Sequence, residues 1–357
     1  MRILAIETSC DETGIALLEG RTADGTLELT TVKAALLSQA NLHAEYGGVF
    51  PTLAKREHIK NLPVLFEEFK DEPFDAIVVT SGPGLEPALW TGIEFAKALA
   101  KERGVPLLPV NHMEGHIISS LAERTGDVSR IQNVQFPVLA LLVSGGHTEF
   151  VLSGKWFQYE MTGRTLDDAV GEAFDKVARM LTLSYPGGPE ISKLAAKSRE
   201  AGAARDIKLP RPMLHADSCD VSFSGLKTAV LYALRDLGGI QALSGEQAAA
   251  VAAEFEDAVA EVLVAKTRRA LNESGAKTFV IGGGVAANRY LREELQKMVL
   301  DEFPDVDFRL PHLSITGDNA VMIGEAALTH LLRGDWELRD AGDIKAQGSL
   351  SLAKKVL

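Results

Sequence analysis

The strongest constraint in this sequence is a pattern that occurs twice. Near the N-terminus an apolar run, Ile3–Ile6, meets a polar turn, Glu7-Thr8-Ser9-Cys10-Asp11-Glu12-Thr13-Gly14, and then a second apolar run, Ile15–Leu18. About 135 residues later Val138–Val143, the small turn Ser144-Gly145-Gly146-His147-Thr148 and Phe150–Leu152 repeat the arrangement. Short apolar runs on either side of a tight polar turn read as paired, buried strands. The match is of pattern rather than of residues, and it predicts a duplicated core. Between the copies, Ile77–Thr80 runs as a strand into Ser81-Gly82-Pro83-Gly84, followed by a helix over Glu86–Arg103 and a strand over Pro106–Val110. Strands alternating with helices imply an α/β architecture with mainly parallel central strands. With 357 residues, at ~150 per domain, two lobes are expected.

The second half follows the same grammar. Thr165-Leu166-Asp167-Asp168 fits a capping box opening a helix to about Leu181, and Ser244-Gly245-Glu246-Gln247 fits another. The helix after the second box is long, with Ala248, Val251, Phe255, Val259, Val262 and Leu263 at helical spacing. Thr278–Ile281 is a strand, Gly282–Ala287 a turn, Asn288–Leu300 a helix, and Asp318 opens a last helix, Asn319–Leu332. The tail beyond Gly334 is weakly patterned. The start has one basic residue and an apolar run cut by Glu7, which does not fit a signal peptide. No apolar run reaches the ~18 residues of a membrane helix. Cys10 and Cys219 form no CxxC pair, so a reducing cytoplasm is the expected setting. A net charge of −12 argues against a broad nucleic-acid-gripping face. A nucleic-acid substrate then needs a local basic patch, such as Lys193, Lys197, Arg199, Arg205, Lys208 and Arg211, or a partner's help.

The chemistry-bearing residues start with His112-Met113-Glu114-Gly115-His116, directly after a strand. On a helix, positions i and i+4 differ by about 40° around the axis, so both imidazoles can face one ion, set against the plainer reading of two partly exposed helix histidines. Glu114 points about 200° away from His112. The position after the first histidine is Met113, where zinc proteases carry their Glu base, so a metalloprotease is rejected. A third ligand must come from elsewhere. Asp318 is a candidate, although an Asp before an apolar helical run is also the expected N-cap. Ser144-Gly145-Gly146 offers amides for an anion nest, whereas Pro186-Gly187-Gly188-Pro189 reads as a tight turn. Gly282-Gly283-Gly284-Val285-Ala286-Ala287 formally matches a dinucleotide fingerprint, but the next strand ends in Arg309-Leu310-Pro311 without an acidic ribose clamp. Asn288 there is a polar reader for an adenosine. Asp11, Glu12 and Asp175 are possible bases, set against the commoner role of solvated carboxylates.

Taken in order, Glu7–Thr13, His112–His116, Leu142–Thr148, Gly171–Lys176, Gly283–Asn288 and Gly317–Asn319 resemble one family across nearly the whole chain. It is the bacterial tRNA N6-adenosine threonylcarbamoyltransferases, formerly labelled O-sialoglycoprotein endopeptidases. The resemblance implies a two-lobed actin-like, sugar-kinase-like (ASKHA) α/β fold with a duplicated core and an interlobe nucleotide cleft. Its lobes would comprise residues 1–110 with about 318–340, and 111–317. It implies a metal site at His112, His116 and Asp318 for one divalent ion, Fe2+ or, as the alternative, Zn2+. It implies substrate contacts at Leu142, Val143, Ser144, Gly145, Gly146, Asp175, Gly188 and Asn288. Ser192 departs from relatives, which often carry a carboxylate there. The implied reaction moves threonylcarbamoyl from threonylcarbamoyl-adenylate to N6 of the adenosine beside the anticodon. Our own candidates for the proton acceptor are Asp11 and Glu12. The implied partners are tRNA, a paralogous actin-like subunit lacking the metal motif, and a small P-loop ATPase, in the cytoplasm and without a membrane. A small-molecule kinase or a non-catalytic scaffold on the same fold are the competing readings.

Overall fold

The computed structural model describes residues 1–202 and 207–352, which form two compact units: Met1–Val134 with the chain from Leu310 on, and Gln135–Arg309. In the first unit, β1 (Arg2–Glu7) and β2 (Glu12–Ala23) form an antiparallel hairpin, and β3 (Thr26–Ser38) adds antiparallel to β2. The chain then passes through α1 (Ala40–Ala44) and α2 (Pro51–Phe66). It returns as β4 (Ala76–Gly82) parallel to β1, α3 (Glu86–Arg103), and β5 (Leu107–Asn111) parallel to β4. After α4 (His112–Leu121), β6 (Glu123–Thr125) and β7 (Val128–Ile131) extend the far edge, giving the order β5-β4-β1-β2-β3-β7-β6.

In the second unit, β8 (Val138–Val143), β9 (Thr148–Lys155) and β10 (Gln158–Arg164) are antiparallel neighbours. Four helices follow, α5 (Val170–Met180), α6 (Gly187–Glu200), α7 (Ser224–Asp236) and α8 (Gly245–Ser274). Then β11 (Thr278–Gly282) joins parallel to β8, and after α9 (Arg289–Glu302), β12 (Asp307–Arg309) joins parallel to β11. The chain re-enters the first unit and forms α10 (Ala320–Arg333). The order β10-β9-β8-β11-β12 reproduces β3-β2-β1-β4-β5 strand for strand, with the same parallel and antiparallel pairings. The duplicated core is therefore one of topology.

The central hairpin of the first unit is apolar on both faces because both are covered. Leu4, Ile6, Ile15 and Leu17 pack with Leu62 of α2 and Leu89 and Ile93 of α3. The opposite face meets α10, where Gly324 lies so close to Leu18 that a Cβ would collide with it. Leu4, Ile6, Ile15 and Leu17 are fully buried, each contributing about 1.5–3 kcal/mol.

Three sequence expectations change. Residues 111–134 and 310–317 belong with the first unit rather than the second lobe, because α4 packs on α10 and β6–β7 continue the first sheet. The stretch Thr165–Asp168 is not a capping box: α5 starts at Val170 with no side-chain cap, and Thr165 Oγ1 donates to Asp168 O instead. Asp167 serves α7, accepting from the amides of Phe223 and Ser224 and from the hydroxyls of Ser222 and Ser224. The tail is not idle, since Ile344, Ala346 and Leu350 are buried and Gln347 N donates to Ser81 O at 2.8 Å. The box at Ser244–Gln247 is present and opens α8. Among the described residues, no helix is long and apolar enough to cross a membrane.

Candidate metal centre and substrate turn

The strand β5 ends at Asn111, whose side-chain oxygen accepts from Met113 N at 2.9 Å and from Glu114 N at 3.4 Å. This N-cap starts the helix at His112, so His112 and His116 stand one turn apart on α4, both buried, with ring centroids 4.8 Å apart. The carboxylate arrives from 202 positions further along the chain, the difference between 318 and 116. The competing role for Asp318 as helix cap is taken by its neighbour, since the Asn319 side chain accepts from Met322 N at 3.0 Å. Asp318 Oδ1 is thereby left 3.3 Å from His112 Nε2 and 3.3 Å from His116 Nε2. The three ligand-type atoms all lie within 4.8 Å of one another.

Sequence reading missed what stands behind His112. Its Nδ1 is 3.1 Å from Ser9 Oγ and 3.3 Å from Glu7 Oε2. Glu7, fully buried at the end of β1, also accepts from Ser9 N and Thr80 Oγ1. A carboxylate holding Nδ1 aims Nε2 at the ion, the usual outer-shell arrangement of a metal-binding imidazole. The one available signal was Glu7 itself, an acid closing an otherwise apolar strand.

The charges agree. Burial works against ionisation of Asp318, but the two histidines beside it outweigh that and hold the carboxyl far below the usual range. Burial opposes the charged form of His112 too, yet Asp318 and Glu7 push it up to about 10. His116 moves down, chiefly through burial, and its buried Nε2 makes no hydrogen bond. Two aimed imidazoles, one of them with an unsatisfied ring nitrogen, around one ionised carboxylate fit a divalent transition metal with further positions open.

Asp11 in the β1–β2 turn and Glu12 at the start of β2 lie next to this centre. Asp11 is buried and its carbonyl accepts from Gln39 N at 3.0 Å, while Ser38 Oγ donates to Glu12 Oε1 at 3.2 Å. Burial, then the Asp11 and Asp318 charges, push the Glu12 carboxyl up to about 9. The turn is braced by His58, which sequence reading did not single out. Its Nε2 donates to Cys10 O at 3.0 Å, and its Nδ1 accepts from Thr13 Oγ1 at 2.8 Å. Burial and the nearby acids raise the Cys10 thiol well above its ordinary range, which makes it a poor nucleophile.

The expected substrate residues all lie in the second unit. Leu142 and Val143 are buried in β8, so their side chains belong to the core and only backbone is on offer. The turn closes on itself, with Ser144 N donating to His147 O at 2.9 Å and His147 N to Ser144 Oγ at 3.1 Å. Gly145 and Gly146 are exposed, with open space where a Cβ would sit. Two further glycines cradle the turn. At Gly171, in the first turn of α5, a Cβ would lie 2.6 Å from Ser144 O, and at Gly283, with φ +93°, it would strike Val143 O. The turn thus rests on a helix N-terminus, where amides and dipole favour an anion.

Asp175 on α5 accepts from Gly187 N at 2.7 Å, so Pro186–Pro189 is not a free turn but the start of α6, and Gly188 lies open beside it. Asn288, the expected adenosine reader, is also tied into the scaffold. Its oxygen caps α9 by accepting from Leu291 N at 2.9 Å, and its amide donates to Ser192 Oγ at 3.0 Å and Glu256 Oε1 at 2.8 Å. Both amide hydrogens are committed inside the protein. Ser192 Oγ donates to the same Glu256 oxygen at 2.7 Å, so α8 supplies a carboxylate next to the position that departs from relatives. The basic cluster is largely neutralised: Arg199 pairs with Glu256 and Asp257, Arg211 with Glu254 and Glu261, and Lys193 with Glu190. Arg205 lies outside the described residues.

A family model described as tRNA N6-adenosine threonylcarbamoyltransferase matches residues 30–325. A protein of that name from Nitrosomonas europaea is 42% identical over 358 residues, covering 98% of this chain and 99% of the relative. Among solved structures, full-length HypF in its phosphate- and nucleotide-bound form is similar with a TM-score of 0.56 and 14% identity, over 93% of this chain and 46% of that one. HypF of T. kodakarensis gives 0.55 and 16%, over 94% and 48%. The chain spans about half the length of these two structures, and the likeness to them is one of fold. The fold is of the actin-like, sugar-kinase-like kind.

Proposed function

The chain belongs to the tRNA N6-adenosine threonylcarbamoyltransferase family, and from that premise we propose that it transfers threonylcarbamoyl from threonylcarbamoyl-adenylate to N6 of the adenosine beside the anticodon, in tRNAs reading codons that begin with A, releasing AMP. The observation that carries the reading is the triad, with Asp318 Oδ1 3.3 Å from both His112 Nε2 and His116 Nε2. His112, His116 and Asp318 would hold one divalent ion, Fe2+ first and Zn2+ second. Such an ion supplies Lewis acidity toward the donor's oxygens.

The chain's own groups account for the rest. An adenine amino group is a weak nucleophile, its lone pair being delocalised into the ring, so the reaction relies on a good leaving group and on charge stabilisation. The N6–carbamoyl bond forms, the carbamoyl–phosphate bond breaks, AMP leaves with the bonding electrons, and the N6 proton passes to a base. Asp11 or Glu12, side by side at the junction of β1 and β2, is that base. Amides of the Ser144–Gly146 turn, seated on the N-terminus of α5, stabilise negative charge on the donor. Glu7 and Ser9 keep the His112 ring in its ligating orientation.

The working assembly includes tRNA, a paralogous actin-like subunit without the metal motif and a small P-loop ATPase, in the cytoplasm. The net charge of −12, with Arg199 and Arg211 already ion-paired, supports weak and salt-sensitive tRNA binding by the chain alone. Leu42, Tyr46 and Phe50 around α1, with Ile59 and Val64 of α2, form the exposed apolar surface offered to the paralogue. The test combines the chain and these partners with unmodified tRNA, threonine, bicarbonate and ATP, followed by nucleoside mass spectrometry. Threonylcarbamoyladenosine should appear with the parent chain and vanish with the His112→Ala/His116→Ala double variant. No modified nucleoside, with donor formation verified, overturns the proposal.

A further inference from the structure

The helix α4 carries both imidazoles, and α10 begins directly after the carboxylate, so the spacing of the triad depends on how these two helices lock together. Their seam is close: a Cβ on Gly115 would lie 3.2 Å from Ile323 Cδ1 and 3.2 Å from Met322 Cγ. A buried polar contact crosses this seam between side chains of the two helices. His330 Nε2, in the last turn of α10, donates to Glu114 Oε2 at 2.9 Å, and both residues are buried. The imidazole lies flat on Trp336, with ring centroids 3.9 Å apart and planes 4° from parallel. A buried carboxylate loses its solvation and is tolerated only where its partner is in place. The pair therefore admits one register of α4 against α10, and a slip of a residue in either helix would strand both groups.

The geometry points to Glu114 and His330 as positioning residues: neither is a member of the ligand triad, and together they hold His112 and His116 at coordinating reach of Asp318. This rests on reading the triad as a metal site. The test is Co2+ uptake by the full chain, followed through its d–d absorption band and by competition with a chelator, with thermal melts for every variant. Glu114→Ala and His330→Ala should each weaken Co2+ binding about tenfold, the scale of lost outer-shell support, and shift the band. The double variant should be no weaker than either single one, as for two halves of one contact. Glu114→Gln, whose amide oxygen still accepts from Nε2–H, should stay near the parent. Folded Ala variants with the parent's affinity and band overturn the inference. If the Ala variants do not fold, Glu114→Asp decides it: shorter by one methylene, it should bind Co2+ more weakly than Glu114→Gln, and equal affinities overturn the inference. A parent chain that takes up no Co2+ overturns the metal reading itself and this inference with it.

Discussion

The turns β1–β2 and β8–β9 occupy the same place in the same five-strand arrangement, yet they are built on opposite physical principles. In the first unit the turn is filled with side chains: Glu7 is buried against His112, Ser9 and Thr80, and His58 braces Cys10 and Thr13. In the second unit the turn is emptied of them, with Gly145 and Gly146 exposed and Gly171 and Gly283 clearing space beneath. A turn crowded with carboxylates and imidazoles suits a cation, and a bare one on a helix N-terminus suits an anion. Chemistry on a duplicated scaffold is thus decided in the turns, while the strands keep the pairing.

The hardest way to break this contrast is at the cation end. The double variant His112→Ala/His116→Ala should lose bound metal by elemental analysis and lower threonylcarbamoyl transfer at least about 100-fold, beyond the ~10–100-fold of an outer-shell loss. Full metal occupancy in that variant would show the site is misplaced. At the anion end, Gly171→Ala puts a methyl 2.6 Å from Ser144 O. It should cost about 2–3 kcal/mol of stability and raise the KM for the donor, with metal content unchanged. A simultaneous loss of metal would mean the two turns are not separable.

Asn288→Ala sharpens the comparison within the second unit. Losing the α9 cap and the bonds to Ser192 and Glu256 should cost about 1–2 kcal/mol by thermal melt. A large drop in adenosine affinity at unchanged stability would instead show Asn288 acting as a reader of the ligand. The smallest effect concerns pH. Burial works against the Asp167 carboxylate, but its bonds to Ser222, Ser224 and Phe223 prevail and bring it down to about 2, from 3.8 for a free aspartate. A depressed acid stabilises above the unfolded value and loses that contribution as pH falls through the folded value. Asp167→Asn should therefore cost about 1 kcal/mol at neutral pH, discounted because the group is exposed, and the difference should fade between pH 4 and 2. A constant gap across that window would assign the effect to packing.

Local pattern revealed much of this molecule. The helix at Glu86–Arg103 has the boundaries its spacing implies, and the strands at Ile3–Ile6 and Val138–Val143 lie within β1 and β8. The i,i+4 histidines fall on one helix face, as helix geometry requires whatever surrounds it. Glu7 behind His112 was not legible, because the two meet across 105 residues and only sheet pairing brings them together. Nor was the Glu114–His330 contact, which spans 216 residues.

What the sequence determined by itself is what backbone sterics and short-range periodicity control: the strand–turn–strand units, the helix carrying two imidazoles, and the glycines where backbones must approach. The tertiary structure decided the rest. It chose Asn319 over Asp318 as the helix cap, freeing Asp318 for the histidines. It returned residues 310–317 to the first unit, paired Arg199 and Arg211 with acids of α8, and raised the Glu12 pKa by burying it beside like charges. Charge state and ligand choice depend on desolvation and on neighbours distant in sequence, quantities that exist only once the chain has folded.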